Sequence, residues 1–348
     1  MNRYGFLLGF VLPLMVVAGF MLGGAWNFLT VVFSFYVLPL LDLASGQPRF
    51  RPEPAEVASL EQDPWYRGLL YIGAAAHFAV LLFGAWAVTH SVLSWYALIG
   101  LVLSVGTVSG SLGIVVAHEL GHHLKSSDRL SARAILASVC YMHFHVEHNR
   151  GHHSHVATPE DPASARYGES LYAFLPRTLV GSFAHAWRLE EARLAKSGVS
   201  RWSPRNPMLW CVALPVLIAG AFGLLFGTAA VWYFLVQALV AIVLLEMVNY
   251  VEHYGLERRA LPGGGREKMH AGHSWNSNHR LSSYFLFNLT RHSHHHIQVQ
   301  RHYQALAHED DSPQLPAGYA GMLMLSLLPP LWRRVMHPRL ESHRAPSH

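Results

Sequence analysis

Six uninterrupted apolar stretches constrain the fold of this chain more than any other feature. Each runs for about 18 residues or more, the length that a helix needs to cross the hydrocarbon core of a bilayer. The chain is 51% hydrophobic and only 14% charged, whereas about a quarter of the residues in an ordinary soluble domain carry charge. We therefore predict an all-α integral membrane protein, a single domain over residues 1–348, with spans near 4–22, 25–43, 68–88, 93–117, 208–226 and 228–248.

The turns between paired spans indicate how the chain is oriented in the membrane. The turns at Gly23, His90 and Phe226 contain no Lys or Arg, so all 26 basic residues lie on the opposite side with both termini. By the positive-inside rule that side is the cytoplasm. We predict a multi-pass protein of the inner membrane with a cytoplasmic cap formed by residues 118–207 and 249–348. A secretory signal is not expected, because a second span follows the first within three residues.

Histidines are the second unusual feature, since the chain has 25 of them and many are grouped. "AHELGHHLK" places His118 and His122 four residues apart, on one face of a continuing helix. Nine imidazoles near span ends on one membrane face predict a shared centre, and they exceed what one ion accepts, so two metal ions are expected. Neutral histidine suits zinc, copper, iron and nickel alike. The other groups, in "EHNRGHH", "NYVEHYGL" and "RHSHHH", contribute His148, His152, His153, His253, His292, His295 and His296.

Other uses of metal fit this pattern less well. "HELGH" matches the H-E-x-x-H pattern of zinc proteases, but that interpretation leaves the other clusters without a role. A metal transporter should carry its ligands near the bilayer midplane, whereas we expect eight of the nine histidines beyond span ends and His118 at one. A membrane sensor of iron or zinc would need only the metal. Cys140 and Cys211 lie far apart, so they predict neither a disulfide nor a cysteine metal site.

The combination of motifs strongly resembles the membrane alkane 1-monooxygenase family, within the membrane fatty acid desaturase and hydroxylase superfamily. The matching text is "HELGHH", "EHNRGHH", "VATPEDPASARYGES", "NYVEHYGLER", "HSWNSN", "RHSHHH" and "LPAGYAGMLMLSLLPPLWRRVMHPRL", between about residues 68 and 340. The resemblance implies six transmembrane helices, two iron ions in a non-haem diiron centre, and dioxygen-dependent hydroxylation of terminal methyl groups of medium- or long-chain alkanes to primary alcohols. Carried over position by position, it implies nine iron ligands: His118, His122, His148, His152, His153, His253, His292, His295 and His296.

Related outcomes of the same chemistry stay open. A diiron oxygenase could act on alkylbenzene methyl groups or other lipid chains, or could be a fatty acyl desaturase or decarboxylase. Histidine spacing does not separate these activities. Only "NYVEHYGL" and "HSWNSN" favour alkanes, through the resemblance.

Five carboxylates are candidates to support the metal ligands. Metal-bound histidine usually donates its other ring proton to a carboxylate or carbonyl. Glu246 lies inside the sixth predicted span, where a carboxylate usually has an inward-facing partner, although a glutamate that reaches toward the interface is the alternative. The candidates are Glu119, Glu147, Asp161, Glu246 and Glu252.

The electron donor is expected to be a separate protein, because the chain shows no C-x-x-C pair and no dinucleotide-binding motif. The resemblance implies a rubredoxin or ferredoxin with its reductase. Basic residues in the cap would attract an acidic carrier, and anionic lipid headgroups explain many of them equally well. Nucleic-acid binding is not indicated, because the positive charge follows the membrane boundary. The residues are Lys125, Arg129, Arg133, Arg150, Arg258, Arg259, Arg266 and Lys268.

Several single positions also carry predictions. If "HSHHH" is helical at about 100° per residue, His292, His295 and His296 share one face and His294 points away. The family usually carries Asp at the position of His294. His77, in the third predicted span, is expected to be a neutral histidine satisfied by a neighbouring helix. A close helix contact is expected at Gly106, Gly110 and Gly113, and a channel wall is one use of Trp26, Phe78 and Trp86.

Overall fold

The structure, a computed structural model that describes residues 2–345, contains six helices long and apolar enough to cross a membrane. The predicted number and order of spans are confirmed. The all-α class is confirmed as well, since the described residues form no strand and only two isolated β-bridges. The first to sixth spans are Arg3–Leu22, Gly24–Ser45, Pro64–His90, Trp95–His122, Pro207–Phe226 and Thr228–His253.

The fourth and sixth spans continue past the ends predicted from hydropathy. The fourth ends at His122 rather than near residue 117, and the sixth at His253 rather than near 248. The apolar pattern stops where polar residues begin, but helical hydrogen bonding continues because these histidines are buried in the cap. The prediction that eight of the nine histidines lie beyond span ends is therefore wrong, since His122 and His253 belong to spans, as His118 does.

Two spans contain a π-helical turn, the kind of irregularity that is frequent at functional sites. Phe33–Val37 lies in the second span and Ser109–Gly113 in the fourth. The start of the first span, Arg3–Phe10, is a 3-10 helix, as is Gly24–Phe28 at the start of the second.

The fourth span packs closely against the sixth through its glycines, as predicted. A Cβ atom on Gly106 would lie 2.6 Å from Cβ of Val240, and one on Gly110 would lie 3.1 Å from Cδ1 of Leu244. These distances leave little or no room for a side chain, so the two helices approach each other along a face of small residues.

The third glycine of that face contacts the third span instead. A Cβ on Gly113 would lie 2.6 Å from Nδ1 of His77. Nε2 of His77 lies 2.8 Å from Oγ of Ser138, in the helix Ser126–Ser138. The partner of this buried histidine is therefore a cap helix rather than another span.

We expect Gly106→Leu to destabilise the protein by about 1–3 kcal/mol or more, because the new side chain would overlap Val240. Gly220→Leu is the matched control, since no atom lies within 4 Å of a Cβ built on Gly220. Thermal inactivation in one detergent measures both variants. Equal midpoints for the two leucine variants would contradict the close contact.

The cap is built from shorter helices that follow the fourth and sixth spans. Trp332, in the last helix, is fully buried, with its ring 5.1 Å from that of Tyr250 and 5.2 Å from that of Tyr254. This aromatic core fixes the tail against the end of the sixth span. The longer cap helices are Ser126–Ser138, Leu171–Ala195, Arg280–Phe285, His292–Ile297, Tyr319–Ser326 and Pro329–Arg344, and a further helix, Pro54–Gln62, lies between the second and third spans.

Candidate metal centre

Four separate segments deliver the nine predicted ligands to one place. They are the end of the fourth span, the helical turns from His148 to His155, the last residue of the sixth span and the helix His292–Ile297. The i, i+4 spacing within these helices directs pairs of side chains the same way, because residues four apart lie on one helical face.

Eight of these histidines form two quartets, and each quartet could hold a metal ion. Within a quartet the nitrogen atoms lie within 4.8 Å of one another, and all eight side chains are buried. The first quartet is His118, His122, His148 and His295, and the second is His152, His253, His292 and His296.

The ninth histidine, His153, lies between the quartets. Its Nε2 is 3.1 Å from Nε2 of His148 in the first quartet, and its ring centroid is 4.6 Å from that of His296 in the second. Its Nε2 is also 3.1 Å from Nε2 of His295. His153 is the only one of the nine that is not fully buried.

The chemistry of the donor set fits metal ions. The Nε2 atoms of His122 and His148 are 3.0 Å apart, and those of His292 and His296 are also 3.0 Å apart. Nε2 of His118 is buried without a hydrogen-bond partner in the described chain. Burial lowers the pKa of His148 and His292 well below the usual histidine value. Neutral nitrogens that converge with so few proton donors are the environment that a cation requires.

Asp161 makes the clearest supporting contact. Its Oδ2 lies 2.9 Å from Nδ1 of His152 and accepts a hydrogen bond from Oγ of Ser164 at 2.6 Å. Its Oδ1 accepts the backbone N–H of Ala163 at 3.0 Å. Burial opposes the charge, but His152 and these hydrogen bonds hold the pKa of Asp161 below its usual range. An ionised Asp161 fixes the proton of His152 on Nδ1, so that Nε2 is free for a metal.

Glu252 contacts the second quartet from a different direction. Its Oε2 is 3.1 Å from Nε2 of His292, the nitrogen that faces the other histidines. Its Oε1 accepts a hydrogen bond from the hydroxyl of Tyr319 at 2.7 Å. The sequence reasoning missed Tyr319 as a site residue, and its only signal was its place in the matching stretch "LPAGYAG".

The other three candidate carboxylates have different partners. Glu119 lies 3.2 Å from Nε2 of His123 and accepts the backbone N–H of Tyr303. Glu147 lies 3.1 Å from Nδ1 of His185. The contact with Tyr303 joins the end of the fourth span to the cap, and the contact with His185 joins two cap segments. Glu246 faces inward, and accepts hydrogen bonds from Tyr141, Thr178 and Asn249.

His294 lies outside both quartets, in agreement with the helical geometry. Its Nε2 is 3.8 Å from Oε1 of Glu309, too far for a hydrogen bond. Burial and the charges of Arg301 and Arg291 lower the pKa of His294 to about 4, so it is neutral at physiological pH. This neutral side chain occupies the position where the resemblance implied an aspartate.

A third, smaller group of Glu267, His270 and His273 has its own structural explanation. Nδ1 of His273 accepts the backbone N–H of His270 at 3.2 Å, and its Nε2 lies 3.1 Å from Oε1 of Glu267. Both nitrogens of His273 are therefore used to hold the loop that precedes "HSWNSN".

An apolar cavity runs between the second, fourth and sixth spans and reaches the histidines. Along the fourth span it extends from Thr107 to His118, a separation of eleven residues or about 16 Å of helix. Both π-helical turns contribute to its wall, through Phe35 and Ser111 for example. Its inner end is formed by His118, His148, His292, Asn249, Glu252 and Tyr319.

The aromatic residues suggested as a channel wall do not line this cavity. Trp26 and Trp86 are 56% and 45% exposed on the surface of the helix bundle. Phe78 lines a different groove. Hydropathy alone could not separate these outward-facing rings from inward-facing ones.

Comparison with known proteins identifies relatives of this chain. The fatty acid desaturase family profile matches residues 93–326, which include all nine histidines. The chain is 46% identical to alkane 1-monooxygenase 2 of Pseudomonas aeruginosa, over 92% of this chain and 86% of that protein. It is 39% identical to alkane 1-monooxygenase 2 of Alcanivorax borkumensis, over 99% and 92%.

A more distant relative is named for a different substrate. The chain is 27% identical to the hydroxylase component of a xylene/toluene monooxygenase of Pseudomonas putida, over 90% of this chain and 82% of that protein. The desaturase profile covers most of the chain, and the alkane monooxygenases are more similar to the chain than the xylene/toluene relative is, over nearly all of its length. The chain therefore belongs to the alkane 1-monooxygenase family, within the fatty acid desaturase family.

Proposed function

We propose that this chain is a non-haem diiron monooxygenase that converts medium- or long-chain alkanes to primary alcohols by hydroxylating the terminal methyl group. One observation carries the proposal: the apolar cavity among the spans ends at His118, His148 and His292. An alkyl chain in that cavity would present its end to both histidine quartets. The names of the relatives support the choice of alkane.

The nine histidines would hold two iron ions, one at each quartet, with His153 between them. Bound there, iron would supply the redox chemistry that lets dioxygen attack a methyl group, which has no acidic proton and no leaving group for side-chain catalysis. Asp161 would hold His152 in the required tautomer through its 2.9 Å contact with Nδ1.

The other residues of the cavity position the substrate. The aliphatic wall, including Ile114, Leu245 and Val248, binds the alkyl chain and keeps water away. At the inner end Glu252 and Tyr319 are joined by a 2.7 Å hydrogen bond. Both residues lie at this inner end of the cavity, where the product hydroxyl would form.

Cavity length should therefore decide which alkanes are accepted. We expect Ser111→Phe to reduce hexadecane hydroxylation by more than about tenfold relative to octane. Ser111 lines the cavity seven residues before His118, about 10 Å along the helix, so a phenyl ring would shorten the space. Ser94→Phe, at the residue just before the same span and outside the cavity, is the control. Competition between the two alkanes measures the ratio, and an unchanged ratio would contradict this binding site.

Electrons would come from a rubredoxin or ferredoxin and its reductase on the cytoplasmic side of the inner membrane. Two observations support this part of the proposal. His153, the partly exposed member of the nine, offers a short route from the surface to both quartets. Exposed basic residues such as Lys125 and Lys268 in the cap would attract an acidic carrier.

The test is product identification. The full chain is expressed with a rubredoxin and its reductase, supplied with octane, hexadecane, xylene and a fatty acid, and the products are identified by gas chromatography with mass spectrometry. A primary alcohol from an alkane is expected. A benzylic alcohol as the main product would instead favour the activity named for the xylene/toluene relative, and an alkene would point to desaturation or decarboxylation.

A further inference from the structure

A second apolar groove lies away from the histidine centre. It runs between the third span, the helix Ser126–Ser138 and the fifth span, and has a volume of about 570 Å³. Among the described residues that line it, none belongs to the nine histidines. Its wall is formed by aliphatic and aromatic side chains such as Phe78, Leu81, Leu214, Ile218 and Phe222.

The groove has the position and length of a lipid chain. Its residues on the fifth span extend from Pro207 to Phe222, about 22 Å at 1.5 Å per residue. Half of the hydrocarbon core, the depth that one acyl chain occupies, measures only about 15 Å. The groove is therefore long enough to hold one acyl chain along its whole length. In the most apolar 18-residue stretch of the fifth span only 17% of the residues are buried, the lowest share among the six spans. The fifth span therefore lies at the edge of the helix bundle, so the groove beside it is next to the surrounding hydrocarbon.

One end of the groove is positively charged. Arg133 lines it, and Arg129 lies one turn earlier on the same helix. In residues 2–345 neither arginine forms an ion pair, whereas nearby Arg150 is paired with Glu190. Burial and the charges of Arg133, Arg129 and Arg150 together lower the pKa of His145, another lining residue, to about 4. An anion at this end would meet uncompensated positive charge.

The same end lies near the membrane surface. Trp210 lines the groove within the first turn of the fifth span, is 46% exposed, and donates its indole N–H to the backbone carbonyl of Pro204 at 3.0 Å. Tryptophan is enriched at the boundary between hydrocarbon and headgroups. The arginines are thus at headgroup level and the apolar wall extends from them into the bilayer.

We propose that this groove binds an anionic glycerophospholipid, with its phosphate beside Arg133 and Arg129 and one acyl chain between the third and fifth spans. Basic pockets between membrane helices are known to select anionic headgroups. An alkane would use the apolar wall but not the arginines. A zwitterionic lipid would bring a second, positive charge to the same end. The unpaired arginines therefore favour the anionic lipid.

The test uses native mass spectrometry of the full-length, iron-containing protein after detergent removal of its lipids. Phosphatidylglycerol and phosphatidylethanolamine with identical acyl chains are titrated separately. The double variant Arg129→Gln/Arg133→Gln removes the charge. Ala134→Phe fills the groove at a lining position that is exposed. The double variant Arg188→Gln/Arg334→Gln is the control, because it removes two exposed arginines that do not line the groove.

We expect the wild type and the control to bind phosphatidylglycerol at least roughly fivefold more tightly, since one basic residue near the surface contributes about that factor. The Arg129/Arg133 variant should lose this preference, and Ala134→Phe should bind less phosphatidylglycerol while it retains its iron. Equal binding of both lipids by the wild type would overturn the proposal. A preference that survives the loss of both arginines, or displacement of the phospholipid by hexadecane, would do the same.

Discussion

Replacement of His295 by alanine is expected to abolish alkane hydroxylation and to lower the bound iron, whereas replacement of its neighbour His294 should leave the iron in place. His295 belongs to the first quartet and its Nε2 lies 3.1 Å from that of His153. His294 lies outside both quartets on the same short helix. Loss of a residue that supports a metal ligand lowers metal affinity or activity by about 10–100-fold. Loss of a ligand itself should therefore lower hydroxylation by more than about 100-fold.

The two variants form a matched pair because they remove the same side chain from adjacent positions. Iron content by elemental analysis and the rate of 1-octanol formation measure the effect. Thermal inactivation shows whether each variant is folded. Equal iron content in the two variants would contradict the assignment of His295 as a ligand.

Asp161→Asn should reduce hydroxylation and iron affinity by about 10–100-fold, the effect typical of a residue that orients a metal-bound histidine. The side chain of Asp161 is buried and contacts Nδ1 of His152. Asparagine keeps the size of the side chain but removes the negative charge. Nδ1 of His152 then loses its charged partner, and the orientation of its ring is less well fixed.

Glu147→Gln is the control for this prediction. Glu147 is also buried and adjoins His148 in sequence, but its partner is His185 rather than one of the nine histidines. Burial and the nearby charge of Asp161 raise the pKa of Glu147, so its carboxyl group favours the neutral form that glutamine imitates. Iron affinity is measured by competition with a chelator. A larger loss in the Glu147 variant than in the Asp161 variant would contradict the role given to Asp161.

The sequence was sufficient for features that depend on local pattern. Six spans follow from hydropathy, and the convergence of the nine histidines follows from helical spacing together with the family motifs. The outward position of His294 follows from counting 100° per residue. The ends of the fourth and sixth spans were placed too early, because hydropathy records where apolar residues stop and not where helical hydrogen bonds stop.

Features that depend on tertiary packing could not be obtained in the same way. Glu119, Glu147 and Asp161 all lie near histidine motifs in the sequence, yet only Asp161 contacts one of the nine. Tyr319 reaches Glu252 from 67 residues away. The cavity is formed between three spans. In an apolar sequence the side of a helix that faces the cavity cannot be distinguished from the side that faces lipid. Closeness in sequence therefore identified the candidate carboxylates, and only the three-dimensional structure showed which of them contacts one of the nine histidines.

The iron content of protein that is actively making alcohol is the most direct test of the proposed centre. Two quartets with His153 between them predict about two iron ions per chain, and activity should rise in proportion as the second ion is bound. Elemental analysis of the purified, active protein measures this number. About two irons per chain would support the diiron centre, and full activity with zinc or with a single iron would contradict it.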